Sequence, residues 1–399
     1  MTKPFHGETV DFRLFAELIH MRVIIVSDTF APDINGVART LGMLARGLMA
    51  RGHGVEVVTT QENDGGDGPR THVVCSAPLP GYAALRVGFT TMGWFASLFQ
   101  RARPEVLYVA TEGPLGIAAI WAAHRAGIPV VSGFHTNFHT YLSNYHLTGL
   151  QPVAEAFLRT VHNHTARTLA QSRDTAAMLT DMGVLNTGVL DHGVDSRLFT
   201  PVARDASLRR QWDVDAGTPV AIHVGRLAAE KNLSLLQRSF DLFMSIHPQG
   251  RCVIVGDGPC AAELKDACPD AIFAGMRKGA ELARYYASGD VGIFPSTSET
   301  FGNVVLESLA SGLITVTYDY AAGRQHIAHG SEGFLAPLHD EPAFLEQVRH
   351  ASTRWNDANL RSAARQKAEG LSWDAVVTHF ENELYQAMQS TLALSASPL

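Results

Sequence analysis

Short runs of apolar and β-branched residues alternate with segments of helix length along this chain, and that alternation constrains its fold more than any other feature. The pattern is typical of a parallel sheet covered by helices on both faces. It begins twice, first at Arg22 and again at Pro219. The sequence predicts strands at residues 22–27, 54–59, 71–76, 105–110, 129–134, 219–225, 251–258, 290–296 and 313–318.

The repeated start indicates two domains, which 399 residues can readily supply. We place the linker at residues 191–218, a weakly periodic segment punctuated by Asp, Pro and Gly. The predicted architecture is α/β, with two doubly wound Rossmann-like domains facing each other across a cleft. Ligands of such sheets bind at the carboxyl ends of the strands, so functional residues are expected just after strands. The predicted divisions are an N-terminal extension (1–20), a first domain (21–198), a second domain (199–372) and a final helix with a tail (373–399).

Composition excludes several other classes of protein. A hydrophobic share of 46% and a charged share of 18% are ordinary for a globular protein and exclude a disordered chain. The net charge of −7 does not favour nucleic-acid binding, which requires clustered cations. Four irregularly spaced cysteines do not form a disulfide framework. No apolar run approaches the ~20 residues that span a bilayer and no signal peptide is recognisable, so we expect a cytoplasmic protein.

The stretch from Phe294 to Gly312 carries the strongest chemical signal. A predicted strand ends at Phe294, and a loop then leads through Gly302 and Asn303 into a helical pattern. The unpaired amides and partial positive charge of a helix start suit a diphosphate. Glu299 would face the group beyond the phosphates, and Glu307 would accept hydrogen bonds from a ribose. The alternative is that Glu299 is a helix cap and Glu307 a solvated helix carboxylate.

A second constellation follows the strand at 219–225 and contains Gly225, Arg226 and Lys231. Arginine and lysine side chains at this edge would neutralise a diphosphate, the first through its planar fork and the second as a point charge. Ordinary surface charge is the alternative. The nearby sequence VGDGPCAAEL superficially resembles a dinucleotide fingerprint, but it stands too late in the chain to favour an NAD enzyme.

Two further loops follow predicted strands of the first half. His135 and His139 are four residues apart, yet no third ligand stands at a metal-binding spacing, so a polar role for His135 in the cleft is favoured over a metal site. Gly36 begins a predicted helix, and the backbone at Gly36 and Val37 allows close approach of a phosphate.

Together these motifs resemble the retaining family-four glycosyltransferases of GT-B fold, from Met21 to about residue 389. The resemblance implies that a nucleotide sugar binds the second domain and an acceptor mainly the first, while the final helix returns to the first domain. The resemblance implies that Arg226 and Lys231 bind the diphosphate and that Glu299 binds the sugar hydroxyls. The remaining implied sites are the backbone of Phe301, Gly302, Asn303 and Val304 for the sugar, Glu307 for the ribose, His135 near the reacting carbon, Gly36 for the distal phosphate, and Met276 with Arg277 for the nucleobase.

The resemblance also implies front-face attack with retention of anomeric configuration, without a cofactor or a metal. The sequence leaves the base (UDP or GDP), the hexose and the acceptor open. One departure is Gln325, which stands where many relatives carry an acid. Two alternatives remain: a nucleotide-sugar epimerase on the same fold, and a non-catalytic sugar-nucleotide-binding protein.

The segment from Tyr82 to Arg103 places apolar residues at helical spacing. Core packing is one interpretation of this stripe. The other is an amphipathic surface that receives a lipid acceptor, such as diacylglycerol, by peripheral contact with the inner face of the cell membrane. Similar sequences with a His-Thr-x-Phe-x-x-Tyr motif glycosylate lipids, which favours the second interpretation. The stripe comprises Leu85, Phe89, Met92, Phe95 and Phe99.

Overall fold

A computed structural model of the chain describes residues 20–33, 35–62, 68–79, 82–135, 151–299 and 301–396. The strands are β1 (Arg22–Val26), β2 (Gly54–Thr59), β3 (Arg70–Val73), β4 (Cys75–Leu79), β5 (Tyr82–Phe89), β6 (Val106–Val109), β7 (Val130–Phe134), β8 (Arg167–Ala170), β9 (Thr187–Val189), β10 (Val220–Val224), β11 (Arg251–Val255), β12 (Ile272–Gly275), β13 (Val291–Phe294), β14 (Ile314–Tyr318) and β15 (Gly333–Ala336). The helices are α1 (Gly36–Ala50), α2 (Met92–Ala102), α3 (Pro114–Ala126), α4 (Gln151–His162), α5 (Arg173–Asp181), α6 (Ala206–Gln211), α7 (Leu233–Ile246), α8 (Ala261–Ala267), α9 (Gly279–Ser288), α10 (Asn303–Ala310), α11 (Ala321–His326), α12 (Glu341–Thr353), α13 (Ala358–Glu369) and α14 (Trp373–Ala396).

The first sheet has seven strands in the order β3-β2-β1-β6-β7-β8-β9. Every strand pairing described within it is parallel. The chain builds outward from β1 in one direction and then returns to place β6 on its other side. This reversal creates a crevice at the carboxyl ends of β1 and β6, where ligands of open α/β sheets bind.

The second sheet has six parallel strands in the order β12-β11-β10-β13-β14-β15. Its reversal point lies between β10 and β13. Both faces are covered, because alternate residues of β10 enter different cores: Val220 and Ile222 belong to one cluster and Ala221 to the other. Burial on both faces explains why this strand is apolar at every position except His223 and can be predicted from the sequence.

By its contacts the chain divides into two compact units. The first comprises Met1–Gly133, Val161–Arg167 and Glu381–Leu399, and the second comprises Phe134–Thr160 and Thr168–Phe380. Within the first unit, Glu381 of α14 forms an ion pair of 2.7 Å with Arg51 and accepts a hydrogen bond of 2.7 Å from His53 Nε2. A second carboxylate of α14, Glu383, pairs with Arg167 at 2.6 Å. These contacts hold the middle of the final helix within the first unit.

The segment from Tyr82 to Arg103 is not one helix, so the predicted helical stripe is wrong over its first half. Residues 82–89 form β5, which pairs antiparallel with β4. The helix begins only after Thr91, whose side chain accepts a hydrogen bond from the Trp94 amide and caps α2. On α2, Phe95 and Phe99 are core residues, 0% and 6% exposed. Over the described residues, no helix combines the length and the apolar character needed to cross a membrane.

Candidate active site

The loop after β10 is held in place by two glycines of the Gly-Asp-Gly-Pro motif. The Leu227 amide donates to the Asp257 carbonyl over 2.9 Å. A Cβ on Gly256 would lie 1.9 Å from the Gly225 carbonyl oxygen, and one on Gly258 would lie 2.3 Å from that of Leu227. Such distances are too short for any side chain. The motif therefore brings two backbone segments together and fixes the course of the loop that carries Arg226 and Lys231.

Lys231 and Glu299 meet at the reversal point of the second sheet. Lys231 ends a short 3-10 turn in the loop after β10, and Glu299 lies in the loop after β13. Lys231 Nζ is 2.5 Å from Glu299 Oε1, with side-chain exposures of 17% and 21%. The Arg226 guanidinium is more open, at 58% exposure, and lies 4.0 Å from Glu230. A cation and a carboxylate predicted from separate motifs thus share one place.

The turn that precedes α10 has an unusual backbone conformation. Gly302 has φ of 100°, in the left-handed region that favours glycine. The Ala322 amide donates to the Phe301 carbonyl over 2.9 Å, and the Tyr320 hydroxyl donates to the Glu299 carbonyl over 3.1 Å. Glu299, Phe301, Gly302 and Tyr320 line a small depression at this point. The turn is therefore anchored from α11 while its carboxylate faces Lys231.

Glu307 and the candidate base-binding residues occupy different environments. Glu307 lies inside α10 and is 4% exposed, so it is not a solvated helix carboxylate. Met276, which follows β12, is 55% exposed. The Arg277 guanidinium lies 5.6 Å from the centre of the Tyr285 ring and 3.3 Å from Glu281. A cation stacked on an aromatic ring beside an exposed methionine offers a flat, partly apolar surface.

His135 lies directly after β7 and is 4% exposed. The Gln171 side-chain amide donates to its Nδ1, so the neutral ring carries its proton on Nε2. Burial, reinforced by the charge of His192, lowers the pKa of His135 to about 3. At neutral pH it is therefore an uncharged hydrogen-bond donor. His139 lies outside the described residues.

His192 also lies here, within the segment predicted to be the linker, and no sequence motif singles it out. Its ring stacks on Phe301 with centroids 4.2 Å apart and planes 16° from parallel. Its Nδ1 is 2.8 Å from Asn303 Oδ1. The available signal was its position just after β9, but that strand has only three residues and was not recognised.

Gly36 and Val37 begin α1 in the first compact unit, whereas the other predicted site residues belong to the second. The Asn35 side chain caps this helix by accepting from the Ala38 amide over 2.9 Å. Among the residues that the structure describes, none has an atom within 4 Å of a Cβ placed on Gly36. Packing against this part of the chain therefore does not require glycine at this position.

Two family models match two separate segments of the chain. Residues 34–198 match the model described as Glycosyltransferase Family 4. Residues 218–353 match the model described as Glycosyl transferases group 1. Both matched regions contain predicted site residues, including Gly36 in the first and Lys231 in the second.

Among curated relatives, a GDP-mannose-dependent alpha-mannosyltransferase of Mycobacterium tuberculosis is 34% identical, covering 90% of this chain and 96% of that protein. An alpha-monoglucosyldiacylglycerol synthase of Streptococcus pneumoniae is 26% identical over 75% and 71% of the two chains. Among solved structures, Anabaena Alr3699/HepE in complex with UDP has a TM-score of 0.72 and 20% identity, covering 92% and 100%. At 20% identity, the likeness to this solved structure supports the fold alone. The predicted GT-B fold and family are confirmed: the chain belongs to the family-four glycosyltransferases and is a nucleotide-sugar-dependent, retaining hexosyltransferase.

Proposed function

We propose that this enzyme transfers mannose from GDP-mannose to a hydroxyl group of a membrane lipid. The donor is inferred from relatives named GDP-mannose-dependent alpha-mannosyltransferase, which are 31–34% identical to this chain. The lipid acceptor is inferred from the glucosyldiacylglycerol synthases, which match at lower identity. Diacylglycerol or a glycosylated diacylglycerol is therefore the first acceptor class to examine.

The contact between Lys231 and Glu299 carries this proposal. In the free enzyme each charge is compensated by the other at 2.5 Å. A bound nucleotide sugar offers each of these two side chains a better partner. Its diphosphate attracts Lys231, and its sugar hydroxyls donate hydrogen bonds to Glu299. Arg226, being open to solvent, would complete the diphosphate contacts. The backbone of Phe301, Gly302, Asn303 and Val304 would hold the sugar, Glu307 the ribose, and Met276 with Arg277 the guanine.

The reaction breaks the bond between the anomeric carbon and a phosphate oxygen. Positive charge develops on the sugar and negative charge on the departing diphosphate, where Lys231 and Arg226 provide stabilisation that grows toward the transition state. The acceptor oxygen attacks from the face that the diphosphate leaves, and the phosphate oxygen takes the acceptor proton. His135 would donate its Nε2 proton to a hydroxyl near the reacting carbon, and Gly36 with Val37 would approach the distal phosphate.

The test is a donor and acceptor screen with the full chain. GDP-mannose and UDP-glucose are each incubated with diacylglycerol vesicles, with free monosaccharides, and without acceptor. We expect a mannosylated lipid from GDP-mannose and little product from UDP-glucose. A preference for UDP-glucose would refute the donor, and transfer only to free sugars would refute the lipid acceptor.

We also propose that the end of β5 and the start of α2 rest on the membrane. Phe89 and Met92 are 47% and 40% exposed, and the exposed Arg101 lies further along α2. Exposed apolar side chains near a cation suit the interface of an anionic bilayer. Replacing both Phe89 and Met92 with Ser should weaken sedimentation with phosphatidylglycerol vesicles severalfold. Val202→Ser removes a side chain that is 89% exposed in the second unit and is the matched control. Equal sedimentation of all three proteins would contradict this contact.

A further inference from the structure

His192 makes two separate contacts with the turn that begins α10. The ring covers Phe301 in a stacked arrangement, 4.2 Å between centroids. Its Nδ1 is 2.8 Å from Asn303 Oδ1, and because a carbonyl oxygen can only accept, the ring nitrogen is the donor. The side chain is 4% exposed. One buried residue therefore fixes both the aromatic residue before Gly302 and the polar residue after it.

The hydrogen bond determines which way the Asn303 amide points. With Oδ1 turned toward His192, the NH2 group of Asn303 faces the opposite direction. Within the residues that the structure describes, this NH2 group has no recorded protein acceptor, and Asn303 is half-buried rather than exposed. It stands at the first position of α10, beside the depression lined by Glu299 and Gly302. A donor group held in a fixed direction at this point suits an oxygen of the substrate.

We propose that His192 is a positioning residue for the donor sugar. It holds the Phe301–Asn303 turn and orients the Asn303 amide so that its NH2 group donates to a hydroxyl oxygen of the transferred hexose. This inference rests on the proposed function, because it requires a nucleotide sugar at the Lys231–Glu299 pair. It adds a residue from the loop after β9 to those of β10 and β13, and it gives Asn303 a side-chain role in addition to its backbone amide.

A purely packing role for His192 predicts different behaviour, and His326 provides the comparison. The His326 ring also contacts Phe301, edge to face with centroids 5.7 Å apart. Its side chain is equally buried, at 4% exposure. No hydrogen bond between His326 and Asn303 is found within the described residues. If packing against Phe301 were the whole role of His192, His192→Phe and His326→Phe would have similar effects on activity.

The experiment is a double-mutant cycle with GDP-mannose. His192→Phe keeps an aromatic ring against Phe301 and removes the donor, and Asn303→Ala removes the acceptor together with the NH2 group. We expect His192→Phe to lower kcat/KM for GDP-mannose about tenfold, which is a typical loss for one oriented hydrogen bond. In an Asn303→Ala background the same change should have almost no further effect. The control, His326→Phe with Asn303→Ala, should show effects that multiply.

Inhibition by GDP separates positioning from general damage to the site. GDP lacks the hexose, so its inhibition constant should stay within twofold of wild type in His192→Phe. The inference is overturned if His192→Phe has wild-type kcat/KM, if its effect multiplies with that of Asn303→Ala, or if GDP inhibition weakens as much as kcat/KM falls. Failure of the wild-type enzyme to use GDP-mannose would instead refute the proposed donor, and the cycle would be measured with the nucleotide sugar that the screen selects.

Discussion

The two sheet edges at which ligands are expected differ in how their polar groups are satisfied. At the edge of the first sheet, the Asn35 side chain caps α1 and donates to Thr29 Oγ1 over 2.7 Å. The Asp28 carboxylate accepts from the Gly88 amide over 2.7 Å. Burial raises the pKa of Asp28, partly offset by that hydrogen bond. This edge is organised by hydrogen bonds between its own side chains and backbone.

The edge of the second sheet is organised around charge and an uncapped helix. Gly302 precedes α10 and contributes no capping side chain. Lys231 and Glu299 compensate each other where a diphosphate and a sugar are expected. The second edge therefore holds polar groups that a ligand can bind, whereas the polar groups described at the first edge already stabilise the fold. Most of the donor contacts that we propose therefore lie at the second edge.

The largest expected effect comes from removing the cation of the second edge. Lys231→Ala deletes a positive charge that stabilises the leaving diphosphate, and it should lower kcat roughly 10²- to 10³-fold. Lys265→Ala, an exposed lysine on α8, is the matched control and should keep full activity. Initial rates with GDP-mannose measure both. Near-normal turnover by the Lys231→Ala variant would contradict the view that the second edge differs from the first in providing charged groups for the donor.

Acid should destabilise the second unit through its buried histidines. Burial lowers the pKa of His135 to about 3 and those of His223 and His326 to about 4. In the unfolded chain these histidines have the ordinary pKa of about 6.5. At pH values between the folded and the unfolded pKa, the unfolded chain therefore binds more protons than the folded chain. Stability is therefore lost as pH falls below about 6.5, by at most about 1.4 kcal/mol per pH unit for each histidine.

Thermal unfolding at pH 7, 6 and 5 measures this loss, and His326→Phe removes one of the three titrating groups. The variant should lose less stability than wild type over the same interval. Parallel curves for the two proteins would show that His326 is not held neutral in the folded state.

Substitution by alanine should have different effects at Gly302, which precedes α10, and at Gly36, which begins α1. Gly302→Ala forces a side chain into φ of 100° and should cost about 1–2 kcal/mol of stability. At Gly36 an added Cβ meets no atom of the described residues within 4 Å, so Gly36→Ala should leave stability unchanged or slightly raised. If Gly36 approaches the distal phosphate, activity should still fall in Gly36→Ala. Chemical denaturation and initial rates together separate the two outcomes; equal destabilisation would contradict the comparison.

The smallest expected effect concerns the cap of the first edge. Asn35→Ala removes the acceptor for the Ala38 amide and should lower stability by about 1 kcal/mol. Asn35→Ser keeps a capping oxygen and should lose only a fraction of this. Denaturation midpoints of the two variants provide the measurement, and an Asn35→Ala midpoint equal to wild type would show that the cap is dispensable.

The central strands could be predicted from the sequence because they are buried on both faces. β2 begins and ends where predicted, β1 and β14 deviate by one residue at one end, and β10 is shorter by one residue at each end. The missed strands β8, β9, β12 and β15 have three or four residues each, too few to show a continuous apolar run. In the segment at 82–103 the apolar residues stand at helical spacing, yet residues 82–89 form a strand and the helix begins only after Thr91, so spacing alone does not mark this boundary.

The site was predictable as a set of loops but not as a set of contacts. Residues after strands, such as Lys231 and Glu299, could be selected because parallel strands end at one edge. Their direct pairing depends on the course of the loops after β10 and β13. Gly256 and Gly258 fix the loop after β10 by packing against it, and no local sequence pattern reveals that contact. His192 was missed for the related reason that a three-residue strand gave no marker for the loop behind it.

Calorimetric titration with GDP examines the claim that the loop after β10 binds the donor diphosphate together with the start of α10. Wild type and Lys265→Ala should bind GDP with the same Kd, and Lys231→Ala should bind it at least tenfold more weakly. An unchanged Kd in a correctly folded Lys231→Ala protein would contradict the claim.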